Sequence, residues 1–263
     1  QMCIRDSNRR LYWKSVPERE NVMINRYVAL DIETTGLNPA VDRIIEVGMA
    51  RIENDCITEK YSTLVYPGIS ISERITGLTG IHNDDLIGKP RIEDIIGDIT
   101  TFIGDWPILG HNVIFDFSFL KKAAVNSGLT ISDDGIDTLK ISRRLLPEAE
   151  HKNLSFLCEY FDIDPGRSHR AYDDAVSASM LYGKLEKLKP DDEGFNHTMK
   201  LVYTVKKDSP ITPAQRRYLA ALVHKHNINL EIPVEEMTKS IASRQIDTII
   251  APVSYTHLRA HET

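Results

Sequence analysis

Asp31 and Glu33 are the first residues in the chain whose type and spacing suit metal-assisted chemistry. They lie at the end of residues 27–32, an apolar run typical of a buried strand. Side chains two positions apart share one face of a strand, so both carboxylates point the same way. Because two anions this close repel each other unless cations lie between them, the pair indicates a metal site. The alternative is a strand end with incidental acids.

Two later segments supply further candidate groups. Asp116 is expected in the first turn of a helix, where an acid can also serve simply to cap the helix. His169 falls in a loop and Asp174 lies five residues later, early in a long helix. A lone loop histidine is more often a surface residue, so His169 is significant only together with the acids. Asp173 points about 100° away from Asp174 on a helix, and we expect Asp173 to be solvated.

These side chains could together hold divalent metal ions beside a proton acceptor. Four carboxylates can hold two divalent ions roughly 3.5–4 Å apart, one activating water and the other stabilising the leaving oxygen. Oxygen ligands suit Mg²⁺ or Mn²⁺, and Zn²⁺ is disfavoured because this set of side chains contains no cysteine and no paired histidine. His169 is the natural general base, since histidine changes protonation near neutral pH. The four expected metal ligands, which also count as catalytic, are Asp31, Glu33, Asp116 and Asp174.

In this order, the segments resemble the motifs of the DEDDh family of 3′-5′ exonucleases. That family includes the proofreading epsilon subunit of bacterial DNA polymerase III and the exonuclease part of Gram-positive replicative polymerases. The resemblance covers about residues 26–188. The matching segments are residues 31–36, 111–116 and 169–174, with secondary matches at 78–81, 136–139 and 153–157. It implies a ribonuclease-H-like fold.

The resemblance also implies a role for each matching residue. Asp31 is expected to bridge both metal ions. Glu33 and Asp174 complete the first metal site, and Asp116 serves the second, partly through water. The terminal nucleotide is expected against residues 34–37, with Leu37 wedged against a base, and the penultimate nucleotide against Asn112 and Phe115. The expected substrate-binding residues are Thr34, Thr35, Gly36, Leu37, His111, Asn112 and Phe115.

The function expected from these features is 3′-5′ exonuclease activity that releases nucleoside monophosphates from DNA, from a single strand or a frayed 3′ end, in proofreading or repair. RNA 3′-end trimming is the alternative within the class, because these motifs do not show whether a 2′-hydroxyl is recognised. A catalytically inactive nucleic-acid-binding module is the alternative of another class. The presence of all four acids and His169 counts against it. A DNA polymerase subunit and a freestanding nuclease are both consistent with the chain.

The surrounding elements predict an α/β fold, with a mixed sheet flanked by helices. Strands are predicted at residues 27–32, 44–53, 57–66 and 107–109, the second and third forming a hairpin. Helices are predicted from a Ser70/Glu73 capping box to near Gly77, and at residues 92–103, 115–126, 138–145, 154–161 and 171–188. Meander strands followed by alternating helices and strands favour mixed strand directions.

Composition limits the class of protein. The 263 residues carry a formal charge of −6, and 41% are hydrophobic and 27% charged. No apolar run reaches the roughly 18–20 residues of a membrane span, and three cysteines without metal or redox spacing fit a cytoplasmic protein. The acidic balance argues against coating nucleic acid by bulk positive charge, but not against an enzyme whose carboxylates hold metal ions.

Both ends are predicted to be foreign to the fold. Residues 1–7 and 252–258 can be encoded by reverse-complementary strings, as in read-through into sequencing adapters, although codon degeneracy could produce this by coincidence. Residues 8–22 are either a translated leader ahead of a start at Met23 or a disordered extension. The predicted organisation is 1–24 adapter and leader, 25–189 exonuclease domain, 190–209 linker with a short strand at 200–205, 210–251 helical module and 252–263 adapter.

The predicted C-terminal module is a small helical unit. Thr212, Pro213 and Gln215 supply an N-cap, a first-turn proline and a capping box, and Thr238 begins a second helix. An auxiliary contact with nucleic acid or a partner is one hypothesis, and a solvated helix face is the favoured alternative. The basic residues concerned are Arg216, Arg217, Lys225, Lys239 and Arg244.

Overall fold

The computed structural model describes residues 24–167, 169–230 and 232–259. Residues 1–23, almost all of the predicted adapter and leader, lie outside the described residues, as do 260–263. Among the helices described, none is long and apolar enough to cross a membrane.

Six strands form one mixed sheet in the spatial order β3-β2-β1-β4-β5-β6. β1 is a central strand that pairs antiparallel with β2 and parallel with β4. β4 pairs parallel with β5, which pairs antiparallel with β6. The bounds are β1 Arg26–Thr34, β2 Ile44–Glu53, β3 Cys56–Leu64, β4 Ile108–Gly110, β5 Asp134–Asp137 and β6 Met199–Lys200. The expected mixed α/β sheet and its hairpin are thereby confirmed.

Helices cover both faces of this sheet. Those predicted at 92–103, 138–145 and 171–188 are confirmed without change of bounds, because each shows a clear apolar stripe or capping signal. The bounds are α1 Glu73–Thr79, α2 Asn83–Leu86, α3 Ile92–Ile103, α4 Ile114–Asn126, α5 Thr138–Leu145, α6 Leu154–Tyr160, α7 Ala171–Leu188, α8 Pro213–His226 and α9 Lys239–Arg259.

The side chains of β1 divide between two cores. Val28, Leu30 and Ile32 pack into the core that α3 and α4 cover. Tyr27 and Ala29 pack into the opposite core, which α5, α6 and α7 cover. This alternation fixes which side of the sheet the later residues of β1 face.

Several local predictions need correction. The N-cap of α1 is Ser72, whose hydroxyl accepts from the N–H of Ile75, and the helix ends at the left-handed Gly80 rather than near Gly77. Ser70 is also a serine and lies two positions before Ser72, which explains why the sequence pattern indicated the wrong N-cap. The strand expected at 200–205 is limited to β6, which ends at Lys200. α2 and β5 were not predicted, because each has only four residues.

The predicted linker contributes to the cores of the sheet. Phe195 is fully buried against the core under α7, and Leu201 is buried in the core under α3 and α4. Residues from 211 onward form a separate apolar cluster in which Leu219, Ile241 and Ile249 are buried. The predicted capping box of α8 is present, with Thr212 and Gln215 bonded to each other's backbone N–H.

Candidate active site

The end of β1 places two carboxylates on the α7 side of the sheet. Asp31 and Glu33 follow Tyr27 and Ala29 at even spacing, so they face the same side as those core residues. Asp31 lies opposite Gly48 of β2, and Glu33 lies opposite Glu46. The structure thus confirms that Asp31 and Glu33 share one face, at the point where the apolar strand ends.

Asp116 approaches the same strand end from α4. Its side chain is 3% exposed, and its Oδ1 accepts a hydrogen bond of 3.1 Å from the backbone N–H of Ile32. Because Ile32 stands between Asp31 and Glu33, this bond places the third carboxylate beside the first two. Asp116 therefore does more than cap its helix.

His169 and Asp174 approach from the start of α7. The backbone N–H of His169 donates to Asp174 Oδ2 at 2.9 Å. Ligand atoms of Glu33, His169 and Asp174 lie within 4.8 Å of one another, which makes them a group able to hold a cation. Asp173 instead accepts from the backbone N–H of Arg167 at 3.2 Å and from its Nε at 3.1 Å. This geometry agrees with the choice of Asp174 over Asp173.

Burial and mutual repulsion change the protonation of the carboxylates. Burial, reinforced by the charges of Asp116 and Glu33, raises the pKa of Asp31 well above its usual range. Burial and the charge of Asp174 raise the pKa of Glu33 to about 8. Burial raises the pKa of Asp116 to about 8, although the N–H of Ile32 opposes the shift. Burial also raises the pKa of Asp174.

The donor set fits divalent cations. Within the described residues, no Lys or Arg side chain forms an ion pair with any of the four carboxylates. Hard carboxylate oxygens are the ligands that Mg²⁺ and Mn²⁺ prefer. Cations would also relieve the repulsion that raises the pKa values of these acids.

The segment after β1 is a tightly tied loop that presents one exposed apolar side chain. The hydroxyl of Thr34 donates to the carbonyl of Gly36, and Thr35 exchanges two hydrogen bonds with the backbone of Arg43. A Cβ on Gly36 would lie 2.6 Å from the carboxyl group of Asp42, so a larger residue here would displace that side chain. Leu37 projects outward and is 82% exposed.

The second motif, residues 111–116, begins with a histidine whose ring is hydrogen-bonded to other parts of the protein. Both ring nitrogens of His111 are engaged, Nδ1 with the hydroxyl of Thr138 at 2.9 Å and Nε2 with the carbonyl of Lys152 at 2.7 Å. Burial lowers the pKa of His111, in keeping with a neutral ring. His111 thus has no nitrogen left for a nucleotide in this arrangement.

Asn112 and Phe115 complete the second motif. Asn112 is exposed with a left-handed φ of 71°, and its N–H donates to Asp137 Oδ1. Phe115 is half-buried against Phe119 at the start of α4. Asn112 is thus exposed, whereas Phe115 packs partly against the core.

The sequence reasoning missed two groups next to these motifs. Glu46 on β2 is buried and forms an ion pair with Arg170, the residue after His169. The available signal was a single acid inside the apolar run 44–50. Asp42 was also missed, and it contacts Arg244 of α9 at 3.2 Å.

The comparisons with known proteins agree with this geometry. The family model described as Exonuclease (RNase_T) matches residues 28–182. The DNA polymerase III subunit epsilon of Aquifex aeolicus is 35% identical over 173 residues, 65% of this chain and 86% of that protein. The PolC-type DNA polymerase III of Caldanaerobacter subterraneus subsp. tengcongensis is 38% identical over 173 residues, which are 65% of this chain but 12% of that polymerase.

Solved structures show the same fold. The nuclease domain of 3′hExo, a DEDDh family member bound to rAMP, aligns with a TM-score of 0.57 at 19% identity, covering 67% of this chain and 98% of that one. Exonuclease I of E. coli with a dA16 oligonucleotide aligns with a TM-score of 0.55 at 18% identity, covering 63% of this chain and 42% of that one. The chain belongs to the exonuclease family and is related to the epsilon subunit of DNA polymerase III.

Proposed function

We propose that this protein removes nucleoside monophosphates from DNA 3′ ends by hydrolysis assisted by two Mg²⁺ or Mn²⁺ ions. The observation that carries the proposal is the convergence of β1, α4 and the start of α7 on one strand end, where four carboxylates and His169 meet. Two divalent ions bound there would activate a water molecule and stabilise the leaving 3′ oxygen.

The protein groups then divide the work. Asp31 would contact both ions. Glu33 and Asp174 would bind one ion, and Asp116 would bind the other. His169 is the general base that takes the proton of the attacking water, because its ring opens to the same space as Glu33 and Asp174. Its exposed ring can pass that proton on to solvent.

The 3′-terminal nucleotide is proposed to lie against the loop after β1. Leu37 would insert beside a base, since it is a large apolar side chain with no core to fill. Asn112 and Phe115 would contact the penultimate nucleotide from the other side. We propose that His111 holds the segment that carries Asn112 and Phe115 in place through its two internal hydrogen bonds.

DNA is the preferred substrate class because both polymerase relatives are DNA polymerase III proteins. The structural neighbour bound to rAMP keeps RNA 3′-end trimming as the second candidate. The deciding experiment incubates end-labelled single-stranded DNA, RNA and mismatched duplex with the protein, in Mg²⁺ or in chelator. Chelator-sensitive shortening from the 3′ end, fastest on DNA, is expected. Absence of shortening on every substrate would contradict the proposal.

The neighbouring acids Asp173 and Asp174 provide a matched test of the site assignment. Asp174→Asn is expected to reduce exonuclease activity by at least about 10²-fold, because it removes a charged metal ligand. Asp173→Asn is expected to stay within about twofold of wild type, since the amide keeps an acceptor for the N–H of Arg167 and loses only the ion pair with its exposed guanidinium. Initial rates on one labelled oligonucleotide measure both variants, and the opposite order would reverse the assignment.

The module at 210–251 is proposed to act through the loop that carries Leu37. Asp42 Oδ2 accepts from the N–H of Asn38 at 2.8 Å, while its Oδ1 faces Arg244 of α9 at 3.2 Å. The module thus adds a contact to the loop from outside the exonuclease fold.

Arg244→Ala is accordingly expected to raise KM for single-stranded DNA about two- to fivefold with little change in kcat, the range of a partly exposed ion pair. Arg216→Ala is the matched control, because Arg216 faces Glu235 inside the module at 3.6 Å. Equal KM values for both variants and wild type would remove this role.

A further inference from the structure

Glu46 is a buried carboxylate within the apolar first part of β2, residues 44–50. Its residue is 2% exposed, and it lies opposite Glu33 in the register of β1 and β2. Like Gly48, it faces α7, because the next residues of the same parity, Ala50 and Ile52, pack into the core under that helix. A buried charge at such a position is costly unless it is paired and hydrogen-bonded.

Arg170 and the first turn of α7 provide that pairing. The Arg170 Nε lies 3.2 Å from Oε1 and 3.1 Å from Oε2 of Glu46, and Nη2 lies 2.8 Å from Oε1. The backbone N–H of Ala171 donates to Oε2 at 3.2 Å. This N–H is one of the first-turn donors that have no partner within the helix, and a carboxylate at a helix N-terminus is favoured by the helix dipole. Glu46 therefore binds both the side chain and the backbone at the start of α7.

Gly48 fixes how closely this helix start approaches the sheet. A Cβ at position 48 would lie 2.0 Å from the backbone nitrogen of Tyr172 and 2.2 Å from the carbonyl carbon of Ala171. Because the obstacle is backbone, it cannot turn aside as a side chain can. The helix start and β2 are in direct contact here, so the position of α7 over the sheet is set at this point.

The residues that this contact fixes are those with chemical roles. His169 immediately precedes Arg170, and its φ of 62° is in the left-handed region. Asp174 lies one turn into the helix and accepts from the N–H of His169. Any shift of Arg170 or Ala171 would therefore move the base and a metal ligand relative to Glu33.

We propose that Glu46 and Arg170 are positioning residues that hold His169 and Asp174 in register with Asp31 and Glu33. The inference rests on the proposed function for its catalytic consequence. Glu46 touches no reacting atom in this scheme, and its hydrogen bonds join it to Arg170 and Ala171 at the start of α7. Arg170 is required as a planar fork that spans both carboxylate oxygens, which a lysine cannot reproduce.

The test compares four variants of the full chain with wild type. Glu46→Gln keeps the shape and an acceptor for Ala171 but removes the charge. Arg170→Lys keeps the charge without the fork, and Glu46→Gln/Arg170→Met removes both charges. Arg167→Ala is the matched control, because Arg167 lies in the same loop but pairs with Asp173 rather than with β2. Each is measured for kcat and KM on a single-stranded oligonucleotide, thermal unfolding, and Mn²⁺ affinity by calorimetry.

Glu46→Gln is expected to lower kcat by about 10–100-fold with KM within about threefold, since small misplacements of reacting groups cost this much. Its Mn²⁺ affinity is expected to fall about tenfold, in the range seen when a group that orients a metal ligand is lost. Arg170→Lys is likewise expected to lower kcat and Mn²⁺ affinity. The double variant is expected to recover thermal stability but not kcat, which separates positioning from stability. Arg167→Ala is expected to match wild type.

The outcomes separate the two proposals. Wild-type kcat and wild-type Mn²⁺ affinity in folded Glu46→Gln, or in Arg170→Lys should the first variant fail to fold, would overturn the positioning role. Recovery of kcat in the double variant would also overturn it. A wild-type protein that shortens no substrate, while Glu46→Gln still weakens Mn²⁺ binding, would overturn the proposed function and leave the positioning role supported.

Discussion

Asp31→Asn is expected to lower the exonuclease rate by at least about 10³-fold, the largest effect of any single substitution in this protein. Asp31 is buried, the charges of Asp116 and Glu33 raise its pKa, and it is the carboxylate proposed to contact both metal ions. Losing several kcal/mol of stabilisation of the developing charge corresponds to this factor, since each 1.36 kcal/mol changes a rate tenfold. The measurement is the initial rate of nucleotide release from labelled single-stranded DNA in excess Mg²⁺.

The melting temperature of Asp31→Asn serves as the control for correct folding of this variant. Asn has nearly the same shape as Asp but carries no charge, so Asp31→Asn removes part of the repulsion among the buried acids. Its melting temperature in chelator at pH 8 is therefore expected to exceed that of wild type. A variant that keeps more than a tenth of wild-type activity would contradict the role given to Asp31, and a lower melting temperature would contradict the account of repulsion.

Stability in the absence of metal is expected to fall as the pH rises from about 4 to about 8. Asp and Glu titrate near 4 in an unfolded chain, whereas the pKa values of Glu33 and Asp116 are about 8 in the folded protein. The folded state thus binds more protons than the unfolded state within this window, so the free energy of unfolding decreases with rising pH. Thermal unfolding in chelator at pH 6 and pH 8 measures this difference.

Divalent ions are expected to reverse this loss. They bind the folded site and its ionised carboxylates, so Mg²⁺ or Mn²⁺ should raise the melting temperature more at pH 8 than at pH 6. Asp116→Asn is the matched variant, because it removes one of the two acids with a pKa of about 8, and it should show a smaller dependence on pH. An equal melting temperature at both pH values in wild type without metal would show that these acids do not set its stability.

The sequence predicted the parts of the fold that repeat a pattern over several turns or pairs. The apolar stripe of α3 and the small-residue face of α7 predicted those helices with their observed bounds. The hairpin of β2 and β3 followed from Asn54 and Asp55, both of which have a positive φ. By contrast, β5 contains two acids among its four residues and derives its place from neighbouring strands, so no local pattern indicated it.

The site residues that the sequence predicted are those that lie close together along the chain, in short motifs. The acids of β1, Asp116, His169 and Asp174 do converge, as the three segments indicated. Glu46 was missed because its partner Arg170 is 124 residues away, and no spacing rule connects the two. The internal role of His111 was missed for the same reason, since Lys152 lies 41 residues later.

The distance along the chain between Glu46 and Arg170 has a consequence for biosynthesis. A ribosome adds about 5–20 residues per second, so Arg170 follows Glu46 after roughly 6–25 seconds. During that interval β1 and β2 have been synthesised but α7 has not, so Glu33 and Glu46 have neither Arg170 nor Asp174 beside them. The proposed active site is therefore incomplete until residues 169–174 have been synthesised and the start of α7 packs against Gly48.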